Sequence, residues 1–216
     1  MTIDEIIQLL GQEYGLPQWR QRRDPLSELI GAILSQNTSD VNSHRAFNSL
    51  ISTFGSWERV AQASIGEVAE AIACGGLSRI KAPRIKAILE GIPNDNGSLD
   101  LGFLGELPIP EARAWLQALP GVGPKTASCV LLFSLGRPVL PVDTHVYRVS
   151  RRLGLIDSGV SPARAHQLLE ELVPAEAIYQ FHLNMLAHGR GVCRAQRPRC
   201  PECVLQEGCV HGKGAI

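Results

Sequence analysis

The chain has 216 residues, of which 44% are hydrophobic and 19% are charged, a composition typical of a folded globular protein. No apolar run approaches the roughly 18 residues that cross a bilayer, and the acidic N-terminus is unlike a secretory signal, so we expect a cytoplasmic protein without a membrane partner. Lys plus Arg equals Asp plus Glu at 21 each, so the global charge does not indicate a nucleic-acid partner.

Nearly every segment has the three- and four-residue apolar spacing of an amphipathic helix, and none alternates like a strand. N-cap residues such as Thr2, Asp24 and Ser64 stand where helices should begin. In chain order, helices are predicted from Thr2 to near Gly15, from Pro25 to about Gln36, over 40–54, from Ser64 to the glycines at 75–76, and over 79–90, 110–118, 124–135, 143–153, 162–172 and 175–187. The sequence therefore predicts an all-α protein.

Two segments interrupt the helical pattern. Gly91–Gly102, "GIPNDNGSLDLG", is polar and rich in glycine, and it is predicted to be a loop within a helical domain. Gly136–Asp143, "GRPVLPVD", contains two prolines that prevent a helix over most of its length. This second segment is the stronger candidate for a crossing between two parts of the fold.

The stretch "LPGVGPKTASCV", Leu119–Val130, predicts two helices joined by a tight hairpin. Gly121 and Gly123 allow positive φ and a close approach of the backbone to an outside group, and Pro124 presets the first turn of the next helix. A loop of small residues that ends on a helix N-terminus exposes N–H groups that suit a phosphate. An ordinary connection between packed helices explains the glycines equally well.

Lys125 falls in the first turn of the predicted helix, where the helix dipole disfavours a cation by about 0.3–1 kcal/mol. The same field favours the neutral amine, which is a nucleophile, although a solvated lysine also fits the position. Asp143 follows 18 residues later, just before another predicted helix. The folded chain could bring its carboxylate close to Lys125, the carboxylate could serve only as the N-cap of the helix, or it could do both.

Four of the six cysteines crowd into the last 24 residues, where they are separated by six, two and five residues: Cys193, Cys200, Cys203 and Cys209. Cysteines in a reducing compartment are more often free or metal-bound than paired, and this spacing leaves zinc and an iron–sulfur cluster open. Cys74 and Cys129 lie in helical apolar patterns and are predicted core thiols. His145, His182 and His188 are predicted to be structural.

Three motifs together resemble the endonuclease III branch of the helix-hairpin-helix DNA glycosylases: "LPGVGPKTA", the later "PVDTHVYRV", and the cysteine spacing. The resemblance runs from about residue 20 to the C-terminus. It implies a two-lobed fold, with a six-helix barrel over 24–137 that carries the hairpin. The second lobe would combine 1–23 with 138–216 and hold a [4Fe-4S] cluster on the four cysteines, with DNA across the cleft between the lobes.

The resemblance also implies a function, excision of oxidised pyrimidines from duplex DNA by a bifunctional glycosylase and abasic-site (AP) lyase. Lys125 would attack the deoxyribose C1′ of a flipped nucleotide and form a Schiff base that decays by β-elimination, assisted by Asp143. The partner would be double-stranded DNA with damaged bases or abasic sites, bound by a monomer associated with the nucleoid. The residues implied to contact DNA are Gln36, Leu77, Gly121, Gly123, Arg194, Arg197 and Arg199.

Two other functions fit the same residues. The hairpin and cluster could recognise distorted DNA without chemistry, or the enzyme could be a mismatch-specific thymine or uracil glycosylase. By comparison with the resembling family, Pro124 stands where many members carry a basic residue, beside Lys125.

Overall fold

The computed structural model describes residues 1–92 and 99–213, so half of the loop predicted at Gly91–Gly102, residues 93–98, lies outside the described residues. The chain divides into two compact units. We call Gln21–Arg137 the continuous unit, and Met1–Arg20 together with Pro138–Ile216 the split unit. Their assignment as a six-helix barrel and a cluster lobe stays a prediction.

The described residues form helices and contain no strand, which confirms the predicted all-α class. The α-helices are α1 Ile3–Tyr14, α2 Pro25–Ser35, α3 Asp40–Phe54, α4 Trp57–Gln62, α5 Ile65–Ala71, α6 Ser78–Glu90, α7 Ile109–Ala118, α8 Pro124–Phe133, α9 Thr144–Leu153, α10 Pro162–Leu172, α11 Ile178–Gly191 and α12 Val210–Lys213. Short 3₁₀ turns lie at Ala73–Gly75, Gly102–Gly105, Ala175–Ala177, Cys200–Glu202 and Gln206–Gly208. No helix of the described ranges is long and apolar enough to span a membrane.

The continuous unit is built around α2, which packs against α3 and α8. Its residues Leu29, Ile30 and Ile33 have no solvent exposure, and α2 is buried on nearly every side. A helix that is apolar all round is expected at the centre of a fold. Because α2 is fixed from both sides, the loop that follows it is held next to the start of α8.

The split unit packs α11 against both α1 and α9. Ile6 and Leu10 of α1 and Phe181 and Met185 of α11 are fully buried and form this core. The first and last parts of the chain therefore share one hydrophobic interior, although they are far apart in sequence.

The structure corrects two sequence predictions. Cys74 was predicted to be a core thiol, but it is exposed because α5 ends at Ala71 and the next residues form a 3₁₀ turn. The helix α4 was missed, although Ser56 caps it through a hydrogen bond from the backbone N–H of Arg59. Cys129 is buried, as predicted.

Candidate functional site

The hairpin between α7 and α8 is anchored by its apolar residues. Leu119 and Val122 are buried, and the N–H of Val122 donates to the carbonyl of Leu119 at 3.2 Å. Gly121 between them has φ +74°, a conformation that side-chain-bearing residues rarely adopt. With the two apolar side chains turned inward, Gly121 itself is exposed.

Gly121 is also crowded by Arg84 of α6. A Cβ added to Gly121 would lie 2.1 Å from Nε of Arg84 and 2.3 Å from its Cδ. The arginine therefore lies directly against the turn, and the absence of a side chain at Gly121 is required for both its φ and this contact.

Lys125 occupies the second position of α8, one turn before the buried Cys129. Burial raises the pKa of the Cys129 thiol, while the positive charge of Lys125 and a hydrogen bond from it act in the opposite direction. The amine of Lys125 thus lies beside this sulfur. The N-cap of α8 is Gly123, which supplies no side-chain hydrogen bond to the first helical N–H groups.

Gln36, the C-cap of α2, is bound to the hairpin. Its Nε2 donates to the carbonyl of Gly121 at 3.1 Å and to Oγ1 of Thr126 at 3.5 Å. Its Oε1 accepts from Nη1 of Arg84 at 2.7 Å. An arginine only donates and a carbonyl only accepts, so these partners fix the orientation of the amide.

Leu77 and Asn37 share an unusual backbone conformation. Leu77 is the N-cap of α6, has φ +54° and is 47% exposed. Asn37 has φ +52° and is also exposed. A non-glycine residue in this region costs of the order of 1–3 kcal/mol, and such strain clusters at functional sites. Sequence reasoning selected Leu77 and missed Asn37, because side-chain spacing carries no signal of positive φ.

Asp143 is the N-cap of α9. Its Oδ1 accepts from the N–H groups of His145 and Val146 at 2.9 and 2.8 Å, so the capping role is confirmed. The extended chain before it is fixed at Leu140 and Pro141, whose backbone groups contact three buried or partly buried side chains: His166, Glu170 and His182. Lys125 belongs to the other unit, and its pairing with Asp143 stays a prediction.

The four C-terminal cysteines line one cavity of the split unit, together with Arg152 and His188. Within the described ranges, no three His, Cys, Asp or Glu side chains converge as ligands of a single metal ion. A [4Fe-4S] cluster, however, takes one cysteine for each iron, so its ligands surround a cavity rather than meet at one atom.

The groups around these sulfurs suit anionic thiolates. Nη1 of Arg152 donates to Sγ of Cys193 at 3.4 Å, and the N–H of Gly212 donates to Sγ of Cys209 at 3.4 Å. Burial raises the pKa of the Cys203 thiol, so a bound cation is what would hold that sulfur ionised. These surroundings suit thiolates that bind a metal centre, without selecting the metal.

His188 connects the cavity to α1. Its Nε2 lies 3.5 Å from Sγ of Cys203, and its Nδ1 lies 3.0 Å from the hydroxyl of Tyr14. Burial lowers the pKa of His188 to about 4, so the ring is neutral at pH 7. Its predicted structural role agrees with this buried, hydrogen-bonded position.

The loop between the first two cysteines carries three exposed arginines, Arg194, Arg197 and Arg199. Arg197 has φ +50°. Arg199 forms a 3.4 Å ion pair with Glu202, but both side chains are well exposed and such a pair contributes little. All three guanidinium groups thus remain at the surface of the split unit.

Two arginines of α9, Arg148 and Arg152, hold this loop by donating hydrogen bonds to backbone carbonyls. The sequence analysis did not predict this role. Arg148 donates to the carbonyls of Gly189 and Cys193 at 2.8 and 3.1 Å. Arg152 donates to the carbonyls of Arg194 and Ala195 at 2.6 and 3.1 Å. Their i, i+4 spacing places both on one face of α9 and is the signal that could have revealed them.

A sequence profile described as HhH-GPD superfamily base excision DNA repair protein matches residues 30–175. An endonuclease III of Thermotoga maritima is 32% identical over 204 residues, which cover 93% of this chain and 91% of that relative. A solved structure of a trapped covalent intermediate between an endonuclease III and DNA, in an estranged-adenine complex, has a TM-score of 0.81 and 28% identity. It covers 99% of this chain and 98% of that chain.

A protein of Arabidopsis thaliana that is provisionally named a DNA glycosylase is 39% identical to this chain over 165 residues. These residues cover 76% of this chain, whereas the chain spans only 56% of the length of that relative.

Alanine variants of Gly121 and Gly123 test the described conformation of the hairpin. Gly121→Ala should lower the free energy of unfolding by at least about 1–2 kcal/mol, because a Cβ is disfavoured at positive φ and would also meet Arg84. Gly123→Ala should be neutral or slightly stabilising, because Gly123 has φ −94° and open space around the new Cβ. Urea unfolding of both proteins measures the difference, and equal midpoints would contradict the described turn.

Proposed function

The chain belongs to the endonuclease III family within the HhH-GPD superfamily of base excision DNA repair proteins, and from this membership we propose that it is a bifunctional DNA glycosylase and AP lyase. Its substrate is proposed to be duplex DNA that contains an oxidised pyrimidine or an abasic site. The observation that carries the proposal is the position of Lys125 in the first turn of α8, directly after the hairpin.

The hairpin supports DNA binding through its backbone. The N–H groups at the start of α8 receive no side-chain cap, and a helix N-terminus attracts phosphate oxygens through these donors and the helix dipole. A phosphate bound there would fix the position of the damaged strand next to Lys125. Such contacts give affinity without reading sequence, as expected for an enzyme that acts at many sites.

The chemistry begins when the target nucleotide leaves the base stack, since C1′ is unreachable inside the duplex. The neutral amine of Lys125 then attacks C1′, a C–N bond forms, and the bond from C1′ to the base breaks as the base leaves with a proton. The sugar ring opens to give an imine between Lys125 and C1′. Loss of a C2′ proton then breaks the bond from C3′ to the 3′ phosphate.

Asp143 is proposed to assist this reaction as a carboxylate. It would accept a proton from the lysine amine or stabilise the positive charge that develops on the sugar. Its Oδ1 already caps α9, so the side chain is held in one orientation by the helix that follows it. The capping and catalytic roles are compatible because a carboxylate has further acceptor sites.

The loop at the end of α2, which carries Gln36, and Leu77 at the start of α6 are proposed to contact the duplex where the nucleotide has left. An exposed leucine at the tip of a helix suits this role, because apolar side chains inserted at a base step offset the loss of stacking. We propose that a monomer is sufficient, since these residues and Lys125 all belong to the continuous unit.

The four C-terminal cysteines are proposed to hold a [4Fe-4S] cluster. Bound there, the cluster would supply a fixed frame for the loop that ends at Cys200. Arg194, Arg197 and Arg199 on that loop are proposed to contact DNA phosphates, with the glycines of the hairpin as a second point of contact. Arg148 and Arg152 support the same loop by binding its carbonyls.

Strand cleavage tests the role of the lysine. Wild-type protein should cut a duplex that contains thymine glycol, and Lys125→Ala should cut it at least about 10⁴-fold more slowly, because the nucleophile is removed. Lys86→Ala is the matched control, since Lys86 is a lysine of the same unit that donates to the carbonyl of Ala61. Cleavage by Lys125→Ala at the wild-type rate would refute the proposal.

Metal analysis of the purified protein tests the cluster. We expect iron and inorganic sulfide in equal amounts and a brown colour, and Cys200→Ser should lower the iron content because one thiolate ligand is lost. Cys74→Ser removes an exposed cysteine outside the cavity and should leave the iron content unchanged. Zinc without sulfide would overturn the assignment.

A further inference from the structure

A cleft of about 450 Å³ lies between α9 and α12 in the split unit. Its volume is in the range of ligand pockets, but its lining is basic and polar rather than apolar. The polar and charged side chains that line it are Tyr147, Arg148, Arg151, Arg152, Ser158 and His211. The first four share one side of α9, because positions three and four apart on a helix face the same way.

The positive charge of this cleft is not neutralised by a neighbouring acid. Within the described ranges, none of its three arginines forms an ion pair with a carboxylate, and this includes Asp157 beside Ser158. Arg152 is engaged elsewhere, since it donates to Sγ of Cys193 and to loop carbonyls. Arg151 makes no hydrogen bond to the part of the chain that the structure describes, so its N–H groups are available to a ligand.

Arg151 is oriented by an aromatic ring. Its guanidinium carbon lies 5.5 Å from the centre of the Tyr147 ring, in a cation–π contact. The hydroxyl of Tyr147 donates to the carbonyl of Val160 at 2.6 Å, which connects the ring to the turn that carries Ser158. A side chain that is already oriented loses less conformational entropy when it binds a ligand.

The other side of the cleft is α12, which packs on the end of α9. Gly154, the C-cap of α9, has φ +79°, and a Cβ added there would lie 3.0 Å from Cγ2 of Val210. The absence of that side chain lets α12 approach closely and brings His211 to the cleft. A guanidinium, a hydroxyl and an imidazole around one cleft suit an oxyanion. Phosphate fits best, because the planar guanidinium can bind two of its oxygens at once.

We propose that this cleft binds a phosphate group, with Arg151 as the main contact and Ser158 and His211 as further donors. Two sources supply this chemistry, the backbone of a DNA duplex and free inorganic phosphate. The backbone is favoured because Arg152 lines the cleft and also donates to the carbonyl of Arg194, so the cleft adjoins the loop proposed to contact DNA. In that case the inference rests on the proposed DNA binding but not on the chemistry of Lys125.

The salt dependence of duplex binding counts the phosphates that the protein neutralises. The logarithm of the binding constant falls with the logarithm of the salt concentration, with a slope of about 0.9 for each phosphate contact. Arg151→Met should reduce this slope by about 0.9 and weaken binding about fivefold at 0.1 M salt. The loss should be the same for an undamaged duplex and for one with a tetrahydrofuran abasic analogue, because the backbone is common to both.

Arg164→Met is the matched control. It removes the same charge from an exposed position of α10 in the same unit, outside the cleft, and should leave the slope unchanged. Both substitutions are at exposed positions, so both proteins should keep the urea midpoint of the wild type.

Two further measurements define the site and the source of the phosphate. Ser158→Ala removes a hydroxyl and no charge, so it should weaken binding of the same ligand about threefold without a change of slope. Inorganic phosphate is titrated into each protein by calorimetry. If free phosphate is the ligand, the wild type and Arg164→Met should show saturable binding that Arg151→Met has lost.

The combined results decide the inference. A lower slope for Arg151→Met but not for Arg164→Met supports a backbone contact, and loss of phosphate binding in Arg151→Met alone, with an unchanged slope, supports a free ligand. Equal effects of the two arginine variants, or full binding by Ser158→Ala, would indicate general charge attraction and overturn the inference. So would wild-type behaviour of Arg151→Met in both measurements. A wild-type protein that binds no duplex would contradict the proposed function, and the phosphate titration would then decide the inference alone.

Discussion

The left-handed turn at Gly121 is the constraint on which the arrangement of the continuous unit depends. Its carbonyl accepts from Gln36, its Cα lies against Arg84, and two residues later α8 begins with Lys125 in its first turn. Three helices thus meet at one residue that has no side chain. A single added carbon would disturb the φ of Gly121, the position of Arg84 and, through them, the hydrogen bonds of Gln36 at the end of α2.

In the split unit, hydrogen bonds from arginine side chains hold a loop in a comparable way. Arg148 and Arg152 donate to four carbonyls of residues 189–195, so the loop of exposed arginines is attached to α9 as well as to its cysteines. Hydrogen bonds from charged groups are about twice as strong as neutral ones, which suits a loop without regular structure. Cations that donate to backbone carbonyls therefore occur in both units, since the buried Lys81 donates to the carbonyl of Leu34 near the end of α2.

Local features could be predicted from the sequence, and distant contacts could not. The caps at Thr2, Asp24 and Ser64 and the hairpin followed from neighbouring residues, because their hydrogen bonds span three or four positions. The bond from Gln36 to Gly121 joins residues 85 positions apart, so only the folded chain brings it about. Helix α4 was missed because six residues are too few for a periodic pattern.

Identification of the residue that becomes covalently attached to DNA tests the central claim most directly. Borohydride reduces the C=N bond of a Schiff base to a stable C–N bond, so protein treated with it on abasic duplex should carry the sugar remnant permanently. Digestion and mass spectrometry should place the remnant on Lys125. Attachment at another lysine or at the N-terminal amine, or no attachment at all to a duplex that is bound and cut, would contradict the account.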